Sequence, residues 1–311
     1  RLLSRGLGDV YKRQPHDRSS LLWNDGPTDR FTKSMERWIN AMYSDDPSNI
    51  DVITAGRSIS RIIAKENGVL SGRPVLDYLI ENHCNGATIV WNFTEGQGFQ
   101  KGQEIVSIVA NSDEILRIER ICMNLITRLS GIASTTSKWS EQLGGVSLAA
   151  TRKTNWGILD KWAVHIGGGL THRLDRSDGL MIKENDFSLA KLTLEEILST
   201  CRTASDFPVI EVESSDQALS VVNSWIGLQT GSPSTHQLTL MMDNLGPENC
   251  RKFSDRLEDM GLRQEFVLEG SGRVRWENLQ DWAQSGVDVV SSGSITMEPQ
   301  MIDMTMLMEA S

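Results

Sequence analysis

The chain has 311 residues, with 41 Asp and Glu against 31 Lys and Arg, a formal net charge of −10 and a pI near 5.1. That balance excludes general nucleic-acid binding, which needs a broad basic surface, and no apolar run approaches the roughly 18–20 residues of a membrane-spanning helix. Hydrophobic residues at 39% and charged residues at 23% describe a globular chain with room for two modest domains or one barrel with an added lobe.

The opening "RLLSRGLGDVYKRQ", residues 1–14, has no initiator Met and no secretory apolar core. It reads as an adapter-like segment foreign to the protein and is set aside from fold reasoning. Residues 15–126 read as an N-terminal α+β lobe. Within it, 48–83 mixes strand and helix signals, and 87–110 looks like strands joined by Gly turns. A long helical stretch follows over 112–145, with Ile115, Ile118, Cys122, Leu125 and Leu129 at helical spacing.

From Ser147 a βα alternation begins. Short apolar runs at 146–153, 179–185, 207–214, 236–244, 265–272 and 287–294 predict six strands. Amphipathic stretches at 187–203, 215–228, 246–261 and 272–286 predict the helices between them, with a further short one at 155–169 stopped by Gly167, Gly168 and Gly169. This order implies a parallel sheet. The strands end in Arg152/Lys153, Lys183, Glu211/Glu213, Asp243, Glu269 and Ser291/Ser292. A βα barrel gathers its active site at that face, whereas an open doubly wound sheet concentrates function at one switch point. Six polar strand ends favour a barrel. Six is fewer than eight, so the fold class is α/β with an open, incomplete TIM-like barrel, expected over 127–297. A tail over 298–311 is expected to pack back on the N-terminal lobe.

Charge is unevenly placed. Thr151–Lys183 holds six Lys and Arg against three Asp, while the whole chain is acidic. An acidic shell around one basic pocket suits a small anionic ligand. Arginine in particular binds both oxygens of a carboxylate with its planar fork. The four cysteines lie far apart with no CxxC pair, which speaks against a zinc ribbon or a thioredoxin-type site and for reduced thiols in the cytoplasm. No catalytic nucleophile stands out: His16, His83 and His236 have no motif context.

Seven motifs occur in order: "RIERICMNLITRLSGIAS", "TRKT", "GGGLTHRLDRSDGLMIKEND", "VIEVES", "MMDNLGPE", "LEGSG" and "GVDVVSSGSIT". Together, over roughly residues 50–297, they resemble the quinolinate phosphoribosyltransferase family, the decarboxylating nicotinate-nucleotide pyrophosphorylases. The resemblance implies an N-terminal α/β sandwich lobe joined to an open six-stranded α/β barrel. It implies that quinolinate and phosphoribosyl pyrophosphate react to give nicotinate mononucleotide, pyrophosphate and carbon dioxide, with Mg²⁺ as cofactor. It assigns Arg152, His172 and Arg173 to the pyridine carboxylates, and Lys153 and Lys183 to the carboxylate or pyrophosphate. Glu211 and Asp243 would hold the ribose hydroxyls and Mg²⁺, directly or through water. Ser271, Gly272, Ser292 and Gly293 would bind the 5′-phosphate. Arg120 would reach the site of a neighbouring subunit, which implies a homodimer with shared sites or a higher oligomer built from it. Neither nucleic acid nor membrane is an expected partner.

The sequence departs from the family pattern at the pyridine end. The loop after "TRKT" is two residues shorter and keeps only Lys161; Asp186 and Met297 stand where His is common; Val209 stands where a further acid is frequent. Two other readings stay open: a related phosphoribosyltransferase of another aromatic nitrogen acid, such as the molybdenum-operon type, and a non-catalytic phosphosugar-binding homologue.

Overall fold

The computed structural model describes residues 15–46, 56–229 and 236–311; the adapter-like segment 1–14 lies outside them. In the N-terminal part, helix α1 (Asp29–Asp45) starts where the Thr28 side chain accepts a hydrogen bond from the Phe31 N–H, and it buries Phe31, Met35 and Ile39. Strand β1 (Arg57–Ala64) buries every second residue, the period of a strand covered on one face. A short strand β2 (Gly68–Val69), helix α2 (Arg73–His83), strand β3 (Thr88–Trp91) and a short strand β4 (Gly98–Phe99) lead to β5 (Glu104–Asn111). Helix α3 (Ser112–Leu143) follows.

The barrel strands are β6 (Ser147–Ala150), β7 (Leu180–Ile182), β8 (Pro208–Val212), β9 (Leu238–Asp243), β10 (Phe266–Ser271) and β11 (Val289–Ser292). All six fall inside the runs predicted from the sequence. The helices among them are α4 (Ile158–Ile166), α5 (Glu184–Leu189), α6 (Leu194–Ala204), α7 (Ser215–Gln229), α8 (Pro247–Asp259), α9 (Leu279–Ala283) and α10 (Ser294–Met297), before a last strand, β12 (Met304–Ala310). The six barrel strands are parallel in the order β6-β11-β10-β9-β8-β7. The residues of β9, β10 and β11 are buried almost throughout, as expected of parallel strands covered on both faces, whereas the edge strand β7 is half-buried. β6 and β7 are the two edges, so the barrel stays open. Leu170, in the connection between them, adds one parallel bridge to Ala149.

The other main sheet runs β12-β1-β5-β3 and is antiparallel. Its edge strand β12 is the C-terminal end of the described chain, returned to pair with β1 along Ser58–Ala64. No break occurs at the junction expected near residue 126. Helix α3 runs unbroken through it, contacting α2 and β5 on one side and α4, α9 and β6 on the other. It is a shared spine, and Ile115, Ile118, Cys122, Leu125 and Leu129 are all buried along it. The region before α1 also differs from a simple lobe assignment, because His16 and Arg18 contact Glu269, Thr171 and Asp206 of the barrel.

The triple glycine has a packing role. A Cβ on Gly167 would lie 2.3 Å from the Ala133 carbonyl oxygen, and one on Gly169 would lie 2.8 Å from Thr136 Cγ2. Gly168 has φ +89°, a conformation that L side chains avoid. The run ends α4 and lets it meet α3 closely. It does not form the floor of the cleft described below.

Candidate active site

Alternate residues of a barrel strand point inward. Asp243, Ser271 and Ser291 stand side by side in register near the C-terminal ends of β9, β10 and β11. One layer deeper, Glu211, Met241, Glu269 and Val289 form the next row. A cleft of about 440 Å³ opens over these strand ends. Among the residues lining it are Arg152, Lys153, His172, Arg173, Lys183, Glu211, Asp243, Ser271 and Ser291. Four Lys and Arg therefore face two carboxylates in one hollow of an acidic protein.

The loop after β6 carries Arg152 and Lys153. Its short form is held by Asp160, whose carboxylate accepts the Asn155 and Trp156 N–H groups at 2.9 and 3.1 Å and the Arg128 guanidinium at 3.1 and 2.9 Å. Thr296 Oγ1 of α10 donates to the Lys153 carbonyl at 2.7 Å. Across the opening, Lys183 caps α5 and pairs with Glu211. Asp243 accepts from the Asn244 side-chain amide at 2.7 Å. Gly272 has φ +88°, and a Cβ there would stand 2.4 Å from Asn244 Oδ1, so the β10 turn requires glycine.

His172 has a positive φ of 53°. Its Nδ1 accepts the Arg173 N–H at 2.7 Å, so the ring proton sits on Nε2, which faces Glu269 Oε2 at 3.2 Å. Burial lowers the His172 pKa, in keeping with a neutral ring. Both ring nitrogens are thus engaged by the protein. His172 lines the cleft beside Arg173. Arg173 is 7% exposed; burial first, then Arg152 and Arg176, lower its pKa. Asp178 and Asp186 act in the opposite sense, and its guanidinium donates to the Gly179 carbonyl at 3.3 Å.

Ser292 is not among the residues lining the cleft. It lies on the opposite face of β11 from Ser291, and its hydroxyl donates to the Val274 carbonyl at 2.9 Å while accepting the Ser294 N–H. Ser291, one residue earlier, is the serine that lines the cleft. Gly293 lies against Lys153, 3.1 Å from its Cδ to a Cβ built at the glycine. Glu213 is exposed beyond the end of β8, and Glu269 is fully buried beneath His172. Arg120 is exposed on α3 and does not line its own chain's cleft. Lys161 is 2% exposed, donates to the Thr171 carbonyl at 2.7 Å and is pushed down to about 7 by burial. It lines a neighbouring hollow with Arg37 and Trp38 that shares Arg152 with the cleft. His16, given no role from the sequence, lies in this surrounding and outside every motif.

An open parallel barrel whose strand ends enclose four cations and two carboxylates defines a protein built to hold a polyanionic ligand. The family model for the quinolinate phosphoribosyl transferase C-terminal domain matches residues 132–307, and that for the N-terminal domain matches 52–130. The chain belongs to this family. A relative from Archaeoglobus fulgidus is 33% identical over 251 residues, 79% of this chain and 92% of that one. The chloroplastic nicotinate-nucleotide pyrophosphorylase (carboxylating) of Arabidopsis thaliana is 30% identical over 253 residues, 78% of this chain and 72% of its own length. Among solved structures, nicotinate-nucleotide pyrophosphorylase from Ehrlichia chaffeensis superposes with a TM-score of 0.74 at 26% identity, covering 90% of this chain and 98% of that one.

Proposed function

We propose that the protein transfers the phosphoribosyl group of phosphoribosyl pyrophosphate to quinolinate with decarboxylation, giving nicotinate mononucleotide, pyrophosphate and carbon dioxide for de novo NAD synthesis. The observation that carries this reading is the charge of the cleft: Arg152, Lys153, Arg173 and Lys183 line it together with Glu211 and Asp243, beside serines of β10 and β11. Arg152 and Arg173 hold the two pyridine carboxylates by forked hydrogen bonds. Lys153 and Lys183 meet the pyrophosphate as point charges. Glu211 and Asp243 hold the ribose hydroxyls. Ser271 and Ser291, with the backbone at Gly272 and Gly293, receive the 5′-phosphate.

The bond from ribose C1 to pyrophosphate breaks, and the pyridine nitrogen forms the new bond to C1. The ring is then cationic. The bond from C2 to its carboxylate breaks, and the electron pair left on C2 is stabilised by that charge until a proton arrives from water. Positioning and charge stabilisation supply the catalysis. Glu211 and Asp243 fit Mg²⁺: they are hard oxygen donors lining one cleft on adjacent strands, and Mg²⁺ takes one or two carboxylates plus waters and substrate phosphates. Bound there, the ion would offset pyrophosphate charge.

Two further features belong to this reading. The protein acts as a homodimer with shared sites, Arg120 serving the partner's cleft. It works in the cytoplasm, which agrees with four buried cysteines that form no disulfide; among the described residues, no helix is long and apolar enough to cross a membrane.

The test is an assay with phosphoribosyl pyrophosphate, Mg²⁺ and a panel of pyridine acids, trapping labelled carbon dioxide. The diacid should beat nicotinate in kcat/KM, because a monoacid leaves one cation of the pocket uncompensated, which is costly away from water. A ratio below one would replace quinolinate with another aromatic nitrogen acid.

A further inference from the structure

We propose that His16 is a positioning residue for the active site: through Glu269 it fixes the ring of His172, and with it the turn that presents Arg173 to the substrate. His16 precedes both regions matched by the family models, and it is 0% exposed inside the barrel.

The cluster is closed by hydrogen bonds. Glu269 Oε2 meets His16 Nε2 at 2.8 Å and His172 Nε2 at 3.2 Å. Glu269 Oε1 and His16 Nδ1 have no partner. A buried carboxylate depends on the donors it has, and here both are imidazoles. The rings also pack on one another and on Phe207, with His16 edge-on to His172 at 5.1 Å and to Phe207 at 4.7 Å. The segment is pinned over the same turn by Arg18, whose N–H donates to Thr171 Oγ1 at 2.7 Å and whose guanidinium lies 3.6 Å from Asp178.

Three donors of this composition could suggest a metal cage. His172 argues against it. A metal-bound imidazole donates its other ring N–H, yet the Nδ1 of His172 accepts an N–H from Arg173. Its Nε2 therefore keeps the proton and cannot ligate. The same bond couples ring to backbone. Turning the His172 ring breaks its contact with the Arg173 N–H, and the left-handed φ at His172 has no other side-chain hydrogen bond to hold it. Removing His16 takes away one of two donors to Glu269, frees the carboxylate to rotate, and loosens His172 and Arg173 in turn.

His16→Gln and His16→Phe separate this role from core filling. Gln keeps an N–H at about the reach of Nε2; Phe keeps the volume and the ring contacts without the donor. The coupling to substrate rests on the reaction proposed above, so a second readout stands apart from it. In ¹⁵N-histidine-labelled protein, the Nε2–H resonance of His172 is assigned by its loss in His172→Gln.

His16→Gln should keep that resonance, and a KM for quinolinate near wild type. His16→Phe should lose it to exchange. Its KM for quinolinate should rise roughly ten- to a hundredfold, the scale of one charge-assisted hydrogen bond, with the KM for phosphoribosyl pyrophosphate little changed. If wild type neither binds nor converts quinolinate, the reaction assignment fails, and the resonance alone judges the relay. A His172 signal in His16→Phe as well protected as in His16→Gln would overturn it.

Discussion

Lys183 and Glu211 form an ion pair across two strand ends, yet the Lys183 side chain is 43% exposed, so the pair does little for stability. Its place in the cleft matters more. Replacing Lys153 or Lys183 by Ala should lower turnover by about 10²–10³, the usual cost of one preorganised charge-stabilising group, with the circular dichroism spectrum unchanged. Near-normal rates in either variant would remove that lysine from the chemistry. Lys161 is the opposite case, a buried lysine held down to about 7 against an unperturbed 10.5. Between those values the unfolded chain binds the proton and the folded one does not, so this group makes stability rise with pH. Below about pH 7 both states are charged and the full burial cost, of order a few kcal/mol, applies. Lys161→Met should therefore gain most over wild type below pH 7, with the gain shrinking towards pH 10. Urea titrations at pH 6 and pH 9 read that slope, and equal differences at the two values would show that Lys161 does not titrate there. Arg152, Lys153, Lys183, Glu211 and Asp243 were legible because each ends or follows an apolar strand, whereas Arg173 was marked only by the basic cluster and the family motif around it. Ser291 was missed by one residue, a parity choice that two adjacent serines leave open. His16 was missed because its partner lies 253 positions away, and no local pattern encodes such a contact.

At the scale of elements, the three glycines after α4 separate two kinds of constraint. Gly167 and Gly169 are needed for space, Gly168 for its φ. Gly167→Ala should destabilise most, by about 1–3 kcal/mol or more, since backbone at Ala133 must move. Gly168→Ala, with open space around it, should cost about 1 kcal/mol from conformation alone. Denaturant midpoints give the order, and the reverse order would show that α3 yields more readily than the turn. The six barrel strands were readable because parallel strands buried on both faces give unbroken apolar runs. Even the three-residue β7 was marked by the polar residues that follow it. The lobe boundary expected near residue 126 leaves no local mark in the helix that crosses it. Helix α3 carries one apolar stripe past residue 126, and a helix serving two layers has no punctuation where its neighbours change.

At the scale of the whole molecule, β12 and α3 tie the two parts together. The chain leaves the barrel after α10 and ends as an edge strand of the antiparallel sheet, while α3 crosses from that sheet to β6. Such a framework holds the exposed Arg120 firmly on a helix outside its own cleft. In the proposed dimer each site is completed by the partner's helix, so the two defects of Arg120→Ala and Lys183→Ala fall in different sites of a mixed dimer. One site then carries both substitutions and the other neither. Mixing the two inactive proteins under conditions that exchange subunits should restore activity to about a quarter of the wild-type level, since random pairing makes half the dimers mixed and each has one intact site. Native mass spectrometry on tagged chains establishes the fraction of mixed dimers. If mixed dimers form and activity stays at the level of the parents, Arg120 acts in its own subunit or in no site. If the protein remains a monomer at assay concentration while turning over normally, the shared-site arrangement fails outright, and the anion pocket must be complete within one chain.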